Sequence, residues 1–277
     1  MSFIQHRKYS VTAPYIFREL NSFAPNSLTA RDLLAFHQDA YSTVSTTLRN
    51  QGAPELKPAH AFACHEAEYR EKVRMFASGL DPVLSSIGGL CHRKYTASGI
   101  EFEVLYNLDL LASNPQLAGP VAVHEIMSTC LGDYTERLLE YLNGSPKKRE
   151  GQNTSLSQVD VISEGFAALF SQSPFPFSPR FLLQTEYVLA HDQEYISEAD
   201  RRFAHRAITD VHCFPAIALL KIEAAYGFEA LMGLLRGPGS FDKSSDFGSY
   251  NFRDRLMNLY FSANELLADE PIRFEWL

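Results

Sequence analysis

The sequence predicts a mainly α-helical protein with one short β edge strand. Most apolar residues recur at the spacing of three to four positions that buried or amphipathic helices show. Only residues 100–106 come close to the alternation of a half-buried strand: Ile100, Phe102, Val104 and Tyr106 alternate with Glu101, Glu103 and Leu105. A chain of 277 residues can bury a large core, and we expect one domain.

Composition excludes several classes of partner. A net charge of -8 at pH 7 repels phosphate backbones, so we expect no nucleic-acid partner. The first residues are polar and charged where a signal peptide is apolar, and no apolar run approaches the length of a membrane span. We therefore expect a cytoplasmic protein without membrane association. Nothing in the composition indicates an oligomeric state.

The four cysteines are isolated from one another. They form no CxxC pair, which argues against a disulfide framework and against a zinc ribbon, and free thiols suit a reducing cytosol. The four positions are Cys64, Cys91, Cys130 and Cys213.

The N-terminal part, residues 1–95, is expected to be helical after an irregular arm. Thr29 and Asp32 have the spacing of a capping box, which predicts a helix from there to about Arg49. A second helix is predicted over residues 64–77. Several glycines and a proline then interrupt the chain before the strand.

A central core, residues 96–240, follows, and residues 241–277 contribute a C-terminal helix. The core is predicted to contain the strand, a helix that begins near Val121, and a second apolar helix that ends at Phe170. The other helices are predicted at about 180–192, 197–212, 215–235 and 252–267.

Two acidic residues stand out because they lie within apolar helical segments. Glu125 follows His124 in one of them, and Glu164 lies in the other. A buried carboxylate costs several kcal/mol unless it is paired, hydrogen-bonded or bound to a metal. His-Glu is also the first half of HExxH, in which two histidines bind zinc and the glutamate activates a water. Here Ser128 occupies the position of the second histidine.

These residues can be arranged as a metal centre. A catalytic zinc ion keeps three protein ligands and an open position, with a carboxylate nearby as base. His124 and Glu164 are the candidate ligands, and Glu125 is the candidate base. Asp210 and His212 end a predicted helix, where they suit support of the ligands or stabilisation of an oxyanion.

The His-Glu helix and the later segment Ser163-Glu-Gly-Phe-Ala167 resemble the gluzincin metallopeptidases, in which the glutamate of the second motif is the third zinc ligand. The aminopeptidase branch carries HExxHxxxGN and NEGFA, and the all-helical branch carries HExxPGH, EGWALY and a later DTGxH. The interval of 40 positions from His124 to Glu164 agrees better with the all-helical branch, which we prefer. The resemblance covers roughly residues 100–235.

The resemblance implies a zinc-dependent hydrolase of peptide or amide bonds, in which Glu125 is the general base. It also implies a degenerate member, because no second histidine is present: Ser128 replaces it in the aminopeptidase alignment, and Cys130 or Leu131 falls there in the other. Cys130 or His212 would then complete the zinc shell. The strand at residues 101–107 would pair with an extended substrate.

Two other hypotheses remain open. The first is a gluzincin-like protein without peptidase chemistry: a metal-free enzyme that uses Glu125, His124 and His212 for acid-base work on a small molecule, or a binding pseudoenzyme. The second is a structural helical protein, for which Glu125→Gln and Glu164→Gln leave every activity unchanged. The resemblance to the gluzincins requires both acids to face a common pocket.

Overall fold

The computed structural model describes residues 11–53, 56, 59–76, 88–96, 99–129, 158–172, 213–236, 262–263 and 265–267. Most of these residues are helical and the others include one small sheet, which confirms the predicted mainly α class. The chain divides into two compact units. The sheet unit comprises Phe17–Glu136 with Phe170–Pro174, and the helical unit comprises Met1–Ile16, Arg137–Leu169 and Phe175–Leu277. That the whole chain forms one domain stays a prediction.

The sheet unit begins with a short helix and then the predicted capped helix. The Thr29 hydroxyl accepts the Asp32 backbone N–H, and the Asp32 carboxylate accepts the Thr29 backbone N–H, so the predicted capping box is confirmed. The elements are α1 (Arg18–Asn21), α2 (Ala30–Asn50), β1 (Ala59–Cys64), α3 (Glu66–Phe76), β2 (Gly89–Thr96), β3 (Gly99–Asn107), α4 (Leu108–Ser113), a 3₁₀ turn (Pro115–Leu117) and α5 (residues 118–129).

The sheet has three strands in the order β1-β3-β2. β1 runs parallel to β3, and β2 runs antiparallel to it. The strand that the sequence predicts is β3, and it lies in the centre of the sheet rather than at its edge. Both edges of β3 are hydrogen-bonded to neighbouring strands, so the expectation that β3 pairs with an extended substrate is wrong.

Helices cover both faces of this sheet. Successive side chains of a strand point to opposite faces. Val104 and Tyr106 accordingly pack in a buried cluster with residues of α2, α4 and α5, whereas Leu105 packs with Tyr69 and Val73 of α3. The arrangement brings α5, the predicted His-Glu helix, against the same face as Tyr106.

The helical unit contains a 3₁₀ turn (Ala13–Tyr15), α6 (Gln158–Phe170), α7 (Cys213–Tyr226) and α8 (Phe228–Arg236). The last residue of α6 is grouped with the sheet unit. The sequence predicts one helix over 215–235, and the structure breaks it at Gly227, whose φ of 84° lies in the left-handed region that glycine adopts at helix ends.

Other predicted helices lie only partly within the described residues. Residues 180–192 and 197–212 are outside them, whereas residues 262–263 and 265–267 of the predicted final helix are helical. None of the described helices has both the length and the apolar character that a membrane crossing requires.

Candidate active site around Glu125

Glu125 lies on α5 with its side chain held against the start of β2. Its neighbours Val123 and Ile126 are fully buried, and Glu125 itself is only 7% exposed. A Cβ atom added at Gly89 would lie 2.8 Å from Cγ and 2.8 Å from Oε1 of Glu125. The absence of a side chain at Gly89 is therefore what allows the carboxylate of α5 to approach the sheet this closely.

The phenol of Tyr106 lies on the same face of the sheet as Glu125. Tyr106 pairs with Gly89 across β3 and β2, and paired residues project to one face. Burial raises the pKa of Tyr106 well above its usual value, and the negative charges of Glu125 and Cys91 raise this pKa further. The Tyr106 hydroxyl thus stays protonated at neutral pH.

The charge of Glu125 also affects the pKa of Tyr69 in α3. Burial raises the pKa of Tyr69, and the charges of Glu125 and Cys64 add to the rise. Its buried hydroxyl has no hydrogen-bond partner among the residues that the structure describes. Tyr69 packs against Leu105, on the face of the sheet opposite to Tyr106 and Glu125, so the charge of Glu125 acts on it across the sheet.

His37 of α2 extends the polar cluster away from Glu125. Its Nδ1 atom lies 2.6 Å from the Tyr106 hydroxyl, and both side chains are buried. Burial lowers the pKa of His37 to about 4, so the imidazole is neutral at physiological pH. The sequence gives one signal for this residue: His37 lies four positions after Leu33 and three before Ala40, on the buried stripe of α2.

The position of the missing second histidine has a structural role within α5. The Ser128 hydroxyl donates a hydrogen bond of 3.1 Å to the backbone carbonyl of His124. This bond within the helix is one that serine and threonine make in helix interiors. This hydrogen bond accounts for the serine at position 128 without a metal ion.

The other predicted site residues are distributed as follows. Glu164 lies half-buried on α6 in the helical unit, next to the buried side chains of Phe166 and Ala167, whereas His124 and Glu125 belong to the sheet unit. Cys130, Asp210 and His212 lie outside the described residues. The meeting of Glu125 and Glu164 across one pocket stays a prediction.

Only some of the predicted metal ligands lie in the described part of the chain. There, no group of three or more His, Cys, Asp or Glu side chains is placed to hold an ion. The imidazole of His124 and the carboxylate of Glu164 are donor types that zinc accepts, but a catalytic zinc needs three protein ligands. The described residues alone do not make a zinc site.

A histidine-carboxylate pair also occurs at the surface of the sheet unit. Nδ1 of His65 lies 2.8 Å from Oδ1 of Asp109, whose Oδ2 accepts the backbone N–H of Glu66. These bonds join the start of α3 to the start of α4, and both side chains are largely exposed. The pair supports the corner where β1 and β3 end, rather than the site at Glu125.

The fold and the site define a mainly helical protein with a small sheet and a buried acid-base cluster. Comparison of the chain with protein-family models, with curated proteins and with solved structures finds no match.

Proposed function

We propose that the chain is a gluzincin-like hydrolase of peptide or other amide bonds, with Glu125 as its general base. The observation that carries the proposal is the burial of the Glu125 carboxylate against Gly89, among apolar residues of α5. Burial of a carboxylate is costly, which makes Glu125 a candidate for a chemical role.

Glu125 can supply the proton transfers that amide hydrolysis needs. Glu125 takes a proton from a water molecule as the water oxygen attacks the carbonyl carbon, and it gives the proton to the amine nitrogen as the C–N bond breaks.

The proposal keeps zinc as the expected cofactor. His124 and Glu164 would hold it, and Cys130 or His212 would complete the ligand set. When bound, zinc supplies Lewis-acid polarisation of the substrate carbonyl.

Replacement of the base tests the catalytic claim. The full chain is assayed against a panel of fluorogenic peptides and simple amides, and Glu125→Gln is expected to lower kcat/KM by about 10²–10⁴ on any substrate found, which is the usual contribution of a general base. Glu71→Gln, at an exposed position of α3, is the matched control and keeps wild-type activity. Equal activity of the Glu125→Gln enzyme and the wild type would refute the proposal, provided that circular dichroism shows the same fold.

Metal content tests the cofactor claim separately. Protein purified without chelator is expected to contain about one equivalent of zinc and to lose activity with 1,10-phenanthroline. A zinc content below about a tenth of an equivalent contradicts the zinc assignment, because protein zinc sites normally bind the metal tightly enough to keep it during purification. The role of Glu125 is then judged by the Glu125→Gln variant alone.

A metal-free acid-base enzyme that acts on a small molecule is the second candidate. It is favoured by Glu125, Tyr106 and His37, which lie within the sheet unit and use no residue of the helical unit. This candidate predicts turnover that phenanthroline leaves unchanged, that Glu125→Gln abolishes and that Glu164→Gln retains. Loss of turnover in the Glu164→Gln variant would favour the hydrolase.

A further inference from the structure

A cavity of about 270 Å³ opens between α2 and the outer edge of β1. Four successive residues of β1, at positions 59–62, and three residues of α2 line it. Among the described strands β1 pairs only with β3, so its other side presents backbone N–H and C=O groups toward this space. The cavity is thus bounded by a strand edge and a helix face, on the side of β1 away from β3.

His37 is the buried polar group of the cavity wall. It is 4% exposed, and its Nδ1 atom is hydrogen-bonded to the Tyr106 hydroxyl. The raised pKa of Tyr106 keeps that hydroxyl protonated, so the phenol O–H can donate to Nδ1 of the neutral imidazole. The neutral imidazole then carries its proton on Nε2, and Nε2 is the ring atom left to donate to a ligand.

The charges around the cavity favour a neutral ligand. Among the residues that the structure describes, its lining contains no Lys, Arg, Asp or Glu, and its second histidine, His60, has an exposed side chain. The Lys72 ammonium lies 4.6 Å above the ring of Phe62, which lines the cavity, but it is paired with Glu68 at 3.4 Å. A carboxylate bound against His37 would lose hydration without gaining a counter-charge, whereas a carbonyl oxygen loses much less. A ligand group that has both a hydrogen-bond acceptor and a hydrogen-bond donor also complements the backbone N–H and C=O groups at the edge of β1.

We propose that this cavity binds a neutral amide group. The amide carbonyl oxygen accepts a hydrogen bond from Nε2 of His37, the amide N–H donates to a backbone carbonyl of β1, and the apolar body of the ligand lies against Ala59 and Ala61. A free small amide and the backbone of a short peptide share this chemistry. The site does not use Glu125, so it stands independently of the proposed hydrolase, and failure of either proposal leaves the other untouched.

An NMR titration of the full chain tests the site with two probes of nearly equal size. N-acetylalanine methylamide, which is neutral, is expected to cause saturable shifts at the backbone amides of residues 59–62, and N-acetylalanine, a carboxylate at pH 7, to bind at least tenfold more weakly. Equal or tighter binding of the carboxylate overturns the proposal, as does the absence of saturable shifts with the neutral probe. A blocked alanine tripeptide that binds tenfold tighter than the neutral probe assigns the ligand to a peptide, and equal affinity assigns it to a free amide.

A variant that fills the cavity provides the second arm. Ala61→Leu is expected to weaken binding of N-acetylalanine methylamide at least tenfold, whereas Ala35→Leu adds the same volume at an exposed position of α2 and leaves binding unchanged. Wild-type affinity in a folded Ala61→Leu variant overturns the proposal. If Ala61→Leu does not fold, the test is made on the wild-type protein. The Nε2 resonance of His37 is expected to shift with the same saturation curve as the backbone amides of residues 59–62. A resonance that does not shift overturns the proposal.

Discussion

At the scale of single residues, a buried neutral histidine ties stability to pH. The pKa of His37 is about 4 in the folded protein and about 6.5 in a peptide. Between these pH values the unfolded chain binds a proton that the folded protein excludes. The free energy of unfolding is therefore expected to fall as pH drops from 6.5 to 4, by up to roughly 3 kcal/mol.

Urea unfolding at pH 7, 6, 5 and 4.5 measures this contribution. His37→Phe is expected to flatten the fall in the free energy of unfolding, although the variant is less stable at pH 7 because the Tyr106 hydroxyl loses its partner. Gln38→Ala, at an exposed and non-titrating neighbour on α2, keeps the wild-type dependence. An identical dependence in the His37→Phe variant would show that His37 is protonated in the folded protein.

Gly89 is the second residue with a specific prediction. A Cβ atom there would also lie 2.7 Å from a methyl carbon of Val121, in addition to its overlap with Glu125. Gly89→Ala is expected to cost about 1–3 kcal/mol of unfolding free energy through overpacking, and to lower activity by displacing the carboxylate. In a Glu125→Ala background the same substitution costs less, because one of its two clashes is gone. Additive effects, within about 0.5 kcal/mol, would contradict the contact.

At the scale of elements, the sequence predicts helices better than strands. The helix at 158–170 and the capped helix α2 have local signals, namely apolar period and capping residues. β1 is composed of alternating alanines with His60 and Phe62 between them, and alanine has little strand preference. β2 begins with glycine, which by itself indicates a break. Both strands exist because they pair with β3, and pairing is not a local property.

The candidate site likewise contains one residue that the sequence identifies and others that it does not. Glu125 is identifiable from the sequence because a carboxylate among the apolar residues of a helix is costly to bury and therefore unexpected there. Tyr106 and His37 belong to two different elements and look like ordinary core residues of each. Only the register of β2 with β3, which places Gly89 opposite Tyr106, brings Glu125 to the face of the sheet that carries Tyr106 and its partner His37.

The break between α7 and α8 gives a prediction about an element. A Cβ atom added at Gly227 meets nothing within 4 Å, so the backbone conformation alone penalises a side chain there. Gly227→Ala is expected to lower the free energy of unfolding by about 1–2 kcal/mol, and Gly227→Asn by less, because asparagine tolerates left-handed φ better. Thermal unfolding of the two variants measures the difference, and equal stability of Gly227→Ala and wild type would contradict the break.

At the scale of the whole molecule, one buried carboxylate joins segments that are far apart in the chain. Glu223 of α7 is 1% exposed, and it accepts backbone N–H groups from Thr12 and Ala13, the latter at 3.0 Å. These two donors begin the 3₁₀ turn at Ala13–Tyr15, where N–H groups lack partners within the turn. Both segments belong to the helical unit, which therefore includes the start of the chain.

The Glu223 contact is best tested by hydrogen exchange rather than by stability. Burial raises the pKa of Glu223, and the two backbone donors oppose that rise, so removal of the charge relieves a desolvation cost while it weakens the hydrogen bonds. Glu223→Gln is then expected to change the free energy of unfolding little but to lower the protection of the Thr12 and Ala13 amides at least tenfold, because hydrogen bonds to a neutral acceptor are weaker. Glu265→Gln, an exposed glutamate in the same unit, leaves their protection unchanged. Unchanged protection in the Glu223→Gln protein would mean that other contacts hold the start of the chain on α7.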